Sequence, residues 1–406
     1  MNSKDNKKIK VLMVNYEFPP IGGGGGTTTR FLAKYLAKLG VDVTVLTANP
    51  GKDDYLDHPE GFRIHYVGPK KNKLTTTHLP ELARFALTII YYSHDVIRTY
   101  NPDLIHSFFA VPSGSIGLYC KKAFNIPYIT SALGADVPGF NIGDWRLDVY
   151  HSLTKFITKS IWNNSSFIVA NSNSLKESCN KFSPTHNVKV ITNGVDGEIF
   201  YPLRDKNYSE NSINLLYVSR LTLQKKIGVL IKACAILNTR GTTNFKLTVV
   251  GDGHLKNEMF QKIKEYKIEN KVNFSGWKNL EELPDIYRNA DVFILPSVME
   301  GMSSVALQAM ACGLPIIASR VQGFEQVLED NVNGLFAEYN NPDDFANAIE
   351  KLIKSKELRE KMSKKSMEKS KDFLWGNIAK QYLELYEKAI DKRVINKEKN
   401  LVFSKG

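Results

Sequence analysis

Pro296-Ser297-Val298-Met299-Glu300-Gly301-Met302-Ser303-Ser304-Val305-Ala306-Leu307-Gln308-Ala309-Met310-Ala311-Cys312-Gly313-Leu314-Pro315 is the stretch on which the fold turns. The residues before it, Val292-Phe293-Ile294-Leu295, are a continuous apolar run of strand length, as expected of a strand covered on both faces. A loop with one carboxylate, Glu300, follows. Leu307, Met310 and Ala311 then recur at helical spacing. Ser303 or Ser304 is the expected N-cap, since a short hydroxyl accepts from the free amides of a first turn. Gly313 and Pro315 end the helix, and residues 315–319 begin the next strand. A polar loop leading to a helix N-terminus suits an anion, because free amides and the helix dipole both favour negative charge. Glu300 cannot hold that anion and is better suited to accept hydrogen bonds from hydroxyls. A phosphate beside a polyol suggests a nucleotide sugar; the bare alternative is an ordinary strand–helix unit of an α/β domain.

The rest of the chain restarts this strand–helix pattern many times. At 406 residues it is too long for one ordinary core and fits two domains. Apolar content of 43% and charged content of 24% are those of a soluble globular protein. No apolar run is long enough to cross a bilayer, and residues 1–10 lead into a strand without the pattern of a signal peptide. Cys120, Cys179, Cys234 and Cys312 lie far apart and read as buried thiols of a cytoplasmic protein. The net charge of +12 comes from dispersed lysines, with no aromatic-basic or zinc module that would point to nucleic acid. One basic cluster, Lys70-Lys71-Asn72-Lys73, precedes an apolar-rich segment, residues 79–92, with tyrosines at its end. That pattern suits an anionic membrane surface, and a buried helix would look similar.

In the first half, residues 9–14 form a strand and a glycine run, residues 22–26, follows. Thr27-Thr28-Thr29-Arg30 opens a helix closed by Gly40, and residues 41–47 form the second strand. The unit lacks the dinucleotide fingerprint: Thr27 stands where the last glycine of G-x-G-x-x-G is required, and no carboxylate ends the second strand. A glycine run permits close backbone approach and exposes amides, or is simply a flexible loop. His106 ends a strand (residues 103–108) and reads as a satisfied structural histidine. Asp136 follows residues 127–132 and by itself reads as a helix or turn cap. Residues 201–214, polar and irregular, are the expected domain boundary. In the second half, residues 215–218 form a strand that runs into Arg220 and Lys225. Two cations at the carboxyl end of a strand stand where α/β sheets bind ligands.

Taken in order, these motifs resemble the retaining glycosyltransferases of family 4 (glycosyl transferases group 1). The resemblance implies an α/β chain of GT-B fold, with two Rossmann-like doubly wound domains facing each other across a cleft. Residues 1–203 would be the acceptor-side domain and 204–374 the donor domain. Residues 375–390 would be a helix crossing back to the first domain, and 391–406 a mobile basic tail. Glu300 matches the first glutamate of the family signature, while Gln308 stands at the second. Arg220 and Lys225 match the pair that grips the diphosphate; Ser219 and Lys226 replace two family glycines. Phe108 and Leu133 occupy positions where many members carry histidines, and Asp136 remains the sugar-side carboxylate. Gly23, Gly24, Gly25, Gly26, Asn193, Gly251, Ser303, Ser304, Val305 and Gln308 would bind the donor, with its base near residues 276–283. The implied reaction transfers a sugar from a UDP- or GDP-type donor to a glycan, lipid-linked or small-molecule acceptor. It would use no metal and no protein nucleophile, with charge on the leaving diphosphate offset by Arg220, Lys225 and a helix N-terminus. Two other readings stay open, an epimerase of the same fold and a non-catalytic nucleotide-sugar-binding subunit.

Overall fold

The computed structural model describes residues 8–21, 23–51, 55–68, 79–140, 145–184, 188–203 and 212–403. The basic cluster at residues 70–73, Gly22 and the polar stretch 204–211 lie outside them. The chain divides into two compact units, one of residues 1–192 with Trp375 onward, the other Asn193–Leu374.

The first unit is built on apolar strands too short and too continuous for one-sided burial. Its strands are β1 (Lys10–Val14), β2 (Asp42–Ala48), β3 (Tyr55–Asp57), β4 (Arg63–Val67), β5 (Leu104–Phe108), β6 (Tyr128–Ala132), β7 (Phe167–Ala170) and β8 (Val188–Val190). They order as β3-β4-β2-β1-β5-β6-β7-β8, parallel throughout except the antiparallel edge strand β3. Helices α1 (Gly24–Lys38), α2 (Leu79–Tyr100), α3 (Ser113–Phe124), α4 (Trp145–Asn164) and α5 (Asn173–Phe182) connect them. The sequence order reverses between β1 and β5. Helix α1 begins at Gly24, not at Thr27 as its threonines suggested. Gly24, Gly25 and Gly26 therefore form its first turn, where the packing of Gly25 and Gly26 against residues 17, 18 and 109 outweighs their weak propensity.

The second unit holds β9 (Ile213–Val218), β10 (Phe245–Val250), β11 (Val272–Gly276), β12 (Val292–Leu295), β13 (Ile316–Ser319) and β14 (Gly334–Ala337). Its helices are α6 (Ile227–Thr239), α7 (Lys256–Glu265), α8 (Leu283–Arg288), α9 (Ser304–Ala311), α10 (Pro342–Lys354) and α11 (Lys356–Ser370). The all-parallel order β11-β10-β9-β12-β13-β14 is that of a Rossmann sheet, whose ligands bind beyond the strand ends where the order reverses. Here that point lies between β9 and β12. Residues 193–203 belong to this unit, although the expected boundary was 203/204. Val195 donates to the Phe373 carbonyl at 2.7 Å, and Phe200 packs edge-on to Tyr287.

Helix α12 (Trp375–Phe403) returns the chain to the first unit. The expected tail after residue 390 is instead helix as far as Phe403: residues 391–403 contain no glycine or proline to stop it. Trp375 stacks on Phe31 of α1 at 6.3 Å. Tyr386 and Tyr382 reach the ends of β5 and β6.

Candidate functional site

The loops after β9 and β12 meet at the reversal point of the second sheet. Gln224 stitches them together: its side-chain amide donates to the Met299 carbonyl at 2.9 Å, and its own carbonyl accepts from Val298 at 3.0 Å. A short 3-10 turn, Leu223–Lys225, then aims Lys225 across the loop, and its Nζ pairs with Glu300 Oε1 at 2.5 Å. Both side chains are largely buried, so the pair is poorly screened by solvent. Directly behind it, burial and then the Glu300 carboxylate push the Tyr217 phenol far above its usual range. Arg220 is exposed and makes no side-chain hydrogen bond or ion pair with a described residue.

Two glycines permit this convergence. A Cβ on Gly323, in the turn after β13, would lie 2.1 Å from the Glu300 carbonyl oxygen. A Cβ on Gly251, at φ +130°, would lie 2.0 Å from the Ser219 carbonyl oxygen. Lys226 takes a left-handed conformation, φ 49°, a region that favours glycine.

Helix α9 points its N-terminus into the same region. Ser303 occupies the cap position, but its hydroxyl makes no capping hydrogen bond, contrary to expectation, and the first turn carries no acid. Its extended backbone at φ −77°, ψ 101° serves as the cap while the leading amides of Ser304 and Val305 stay open to an anion. Asn193 secures this turn, its Nδ2 donating to the Met302 carbonyl at 3.2 Å and to the Ser304 hydroxyl at 3.5 Å. Gln308 lies one turn further on, with Oε1 accepting from the Tyr287 hydroxyl at 3.1 Å.

In the first unit, Asp136 is a loop cap. Its Oδ2 accepts from Ala110 at 2.9 Å, and Oδ1 from Leu133 at 3.0 Å and Gly134 at 3.2 Å. Burial raises its pKa and these amides partly offset the rise. Asp136, expected as a sugar-side carboxylate or a cap, is here a buried carboxylate whose two oxygens are engaged by three amides and which orders the loops after β5 and β6. His106 is a satisfied core residue, with Nδ1 at 2.7 Å from the Tyr386 hydroxyl and Nε2 at 2.8 Å from the Ser131 hydroxyl; burial lowers its pKa to about 3.

The glycine turn of α1 is held by residues that sequence reasoning passed over. Asn15 Nδ2 donates to Thr29 Oγ1 at 2.7 Å and to the Gly25 carbonyl at 3.3 Å. Glu17 accepts from the Gly23 amide at 3.3 Å. Phe109, left-handed at φ 69°, lays its ring where a Cβ on Gly25 would fall, 2.8 Å away. The visible signal was a polar residue, Asn15, directly after the apolar run of residues 11–14. Gly23 and Gly24 have open space around them. Among the described residues no group of three or more His, Cys, Asp or Glu could hold a metal ion.

Residues 22–198 match the model for Glycosyltransferase Family 4, and residues 202–369 that for Glycosyl transferases group 1. An uncharacterised glycosyltransferase of Methanocaldococcus jannaschii is 30% identical over 94% of this chain and 99% of its own. Sucrose-phosphate synthase of Thermosynechococcus elongatus superposes with a TM-score of 0.80 at 24% identity, over 95% of this chain and all of that one. Anabaena HepE, solved in complex with UDP-glucose, superposes at 0.72 with 19% identity over 94% of this chain and 100% of its own.

Proposed function

This chain belongs to the family 4 glycosyltransferases of GT-B fold, and from that premise we propose a retaining, metal-independent enzyme that uses a UDP- or GDP-type sugar donor. The observation that carries the reading is the buried Lys225–Glu300 pair at the reversal point of the six-stranded sheet, beside the uncapped N-terminus of α9. In this reading Lys225, joined by the exposed Arg220, binds the diphosphate together with the Ser304 and Val305 amides. These groups offset the charge that builds on the leaving group. Glu300, released from Lys225, faces the sugar. Gln308 keeps one acceptor oxygen and two donor hydrogens for the ribose hydroxyls. The leaving phosphate takes the acceptor proton, so no protein nucleophile is needed. The complex of HepE with UDP-glucose supports a nucleotide-sugar donor. Four buried free cysteines support a reducing, cytoplasmic setting.

A thermal-stability screen of nucleoside diphosphate sugars tests the donor, since a ligand of the native state raises stability by mass action. The best stabiliser is then assayed for turnover with a chelator present. Transfer that persists in chelator supports the reading. Transfer lost in chelator and restored by magnesium or manganese contradicts the metal-independent step. Conversion of the donor to an epimer without transfer would favour the epimerase.

A further inference from the structure

Tyr287 lies on α8, fully buried, and its ring is held from two sides. Phe200 meets it edge-on at 5.8 Å, and Phe293 of β12 lies against it at 6.0 Å. Its hydroxyl donates to Gln308 Oε1 at 3.1 Å and makes no other hydrogen bond with a described residue. Burial pushes the phenol far above its usual range, so the proton stays in place at any working pH. A buried hydroxyl left without an acceptor is costly. That cost decides the orientation of the Gln308 amide, whose oxygen and nitrogen are alike in size and could otherwise exchange places. With Oε1 held by Tyr287, Nε2 stands on the other side of the amide. It makes no hydrogen bond with a described residue, and it is not among the atoms sealed in the core without a partner. Its hydrogens are therefore open to a ligand. Gln308 follows Ser304 by four residues on α9, on the face of the helix that carries the open first-turn amides. A carboxylate at this position would need no such device, because its two oxygens are equivalent. An amide has to be set.

We propose that Tyr287 is a positioning residue of the donor site: it sets the Gln308 amide so that Nε2 donates to one ribose hydroxyl of the nucleoside diphosphate. The lone pair of Oε1 that Tyr287 leaves free then accepts from the neighbouring hydroxyl. The vicinal diol is thus read in one sense, with one hydroxyl accepting and the other donating. Tyr287 touches no substrate and acts only through Gln308. This inference deepens the donor site proposed above and rests on that reading. It also sets a specificity: a nucleotide without the 2′,3′-diol leaves Nε2 unpaired and is disfavoured.

The test is calorimetric binding of UDP and GDP, and of their 2′,3′-dideoxy analogues, to the full chain. Wild type should prefer the parent of the better-bound nucleotide over its analogue by about ten-fold or more, as two hydrogen bonds allow. Tyr287→Phe keeps the packing against Phe200 and Phe293 and should fold. It should weaken the parent by about five-fold and leave the analogue unchanged. In turnover, the donor KM should rise by the same factor while kcat is kept. Gln308→Leu, which retains the phenol, should abolish the preference for the diol, and Tyr287→Phe added to it should weaken binding no further. Equal weakening of parent and analogue by Tyr287→Phe overturns the proposal, since the residue is then only structural. Should Tyr287→Phe fail to fold, Gln308→Leu decides: a diol preference that survives it overturns the proposal. Wild type that binds a nucleotide without preferring the diol overturns this inference alone. Wild type that binds neither UDP nor GDP overturns the donor reading and this inference with it.

Discussion

Lys225 and Glu300 pair directly with each other, and each is expected to matter for a different reason. Lys225→Ala removes a charge-assisted contact to the diphosphate, and turnover should fall about a hundred-fold or more. Glu300→Gln should also damage turnover, whereas Gln308→Glu should change it little, since Gln308 already offers an acceptor oxygen. Activity gained on Gln308→Glu by an inactive wild type would show that the chain is a non-catalytic relative. Lys226 is next to Lys225 and holds a left-handed backbone conformation. A left-handed L-residue costs about 1–2 kcal/mol, and glycine removes that strain while adding unfolded-state freedom. Lys226→Gly should therefore raise stability by about 1 kcal/mol and keep turnover, as read by denaturant melting beside a donor assay. Of this site, Glu300, Arg220 and Lys225 were legible in sequence because charge at a strand end carries its own signal. Gln224 and Gly323 were not, because their importance lies in contacts with backbone distant in sequence.

At the scale of elements, apolar runs and glycine stops located most central strands, because a parallel sheet covered on both faces needs continuous hydrophobic sequence, but left β3, β4 and β14 unread. The start of α1 was misread because local propensity marks a helix terminus weakly when tertiary packing decides it, as Phe109 against Gly25 illustrates. Asp136 shows how little a lone carboxylate says: after a strand it looks alike in sequence whether it faces a substrate or caps a loop. Helix α12 is expected to be integral to the first unit. Trp375→Ala should cost about 3–5 kcal/mol through the cavity it leaves against Phe31. Tyr386→Phe should cost about 1–3 kcal/mol by leaving His106 Nδ1 without its partner. Both are read as shifts in denaturant midpoint.

At the scale of the whole molecule, His106 makes stability depend on pH. Its folded pKa, about 3, lies below the unfolded value near 6.5, so the native state holds the ring neutral while the unfolded chain takes a proton. Its contribution is fully present above about pH 6.5 and is lost as pH falls toward about 3, by up to roughly 1.4 kcal/mol per pH unit. Asp136 works in the opposite sense. Its raised folded pKa means that the native state binds a proton more tightly than the unfolded chain, so acidification through that pKa recovers part of the loss. Melting followed from pH 7 to pH 4 should show the decline, and His106→Gln should flatten it by about one proton.

Whether transfer at Lys225 and Glu300 is retaining, as proposed, is read from the anomer released from the donor. Slow hydrolysis of the best-stabilising α-linked donor, without acceptor, can be followed by proton NMR before the free sugar equilibrates. We predict that the α anomer appears first with wild type and that its release nearly vanishes with Lys225→Ala. First appearance of the β anomer, or of an epimeric sugar, would contradict the account.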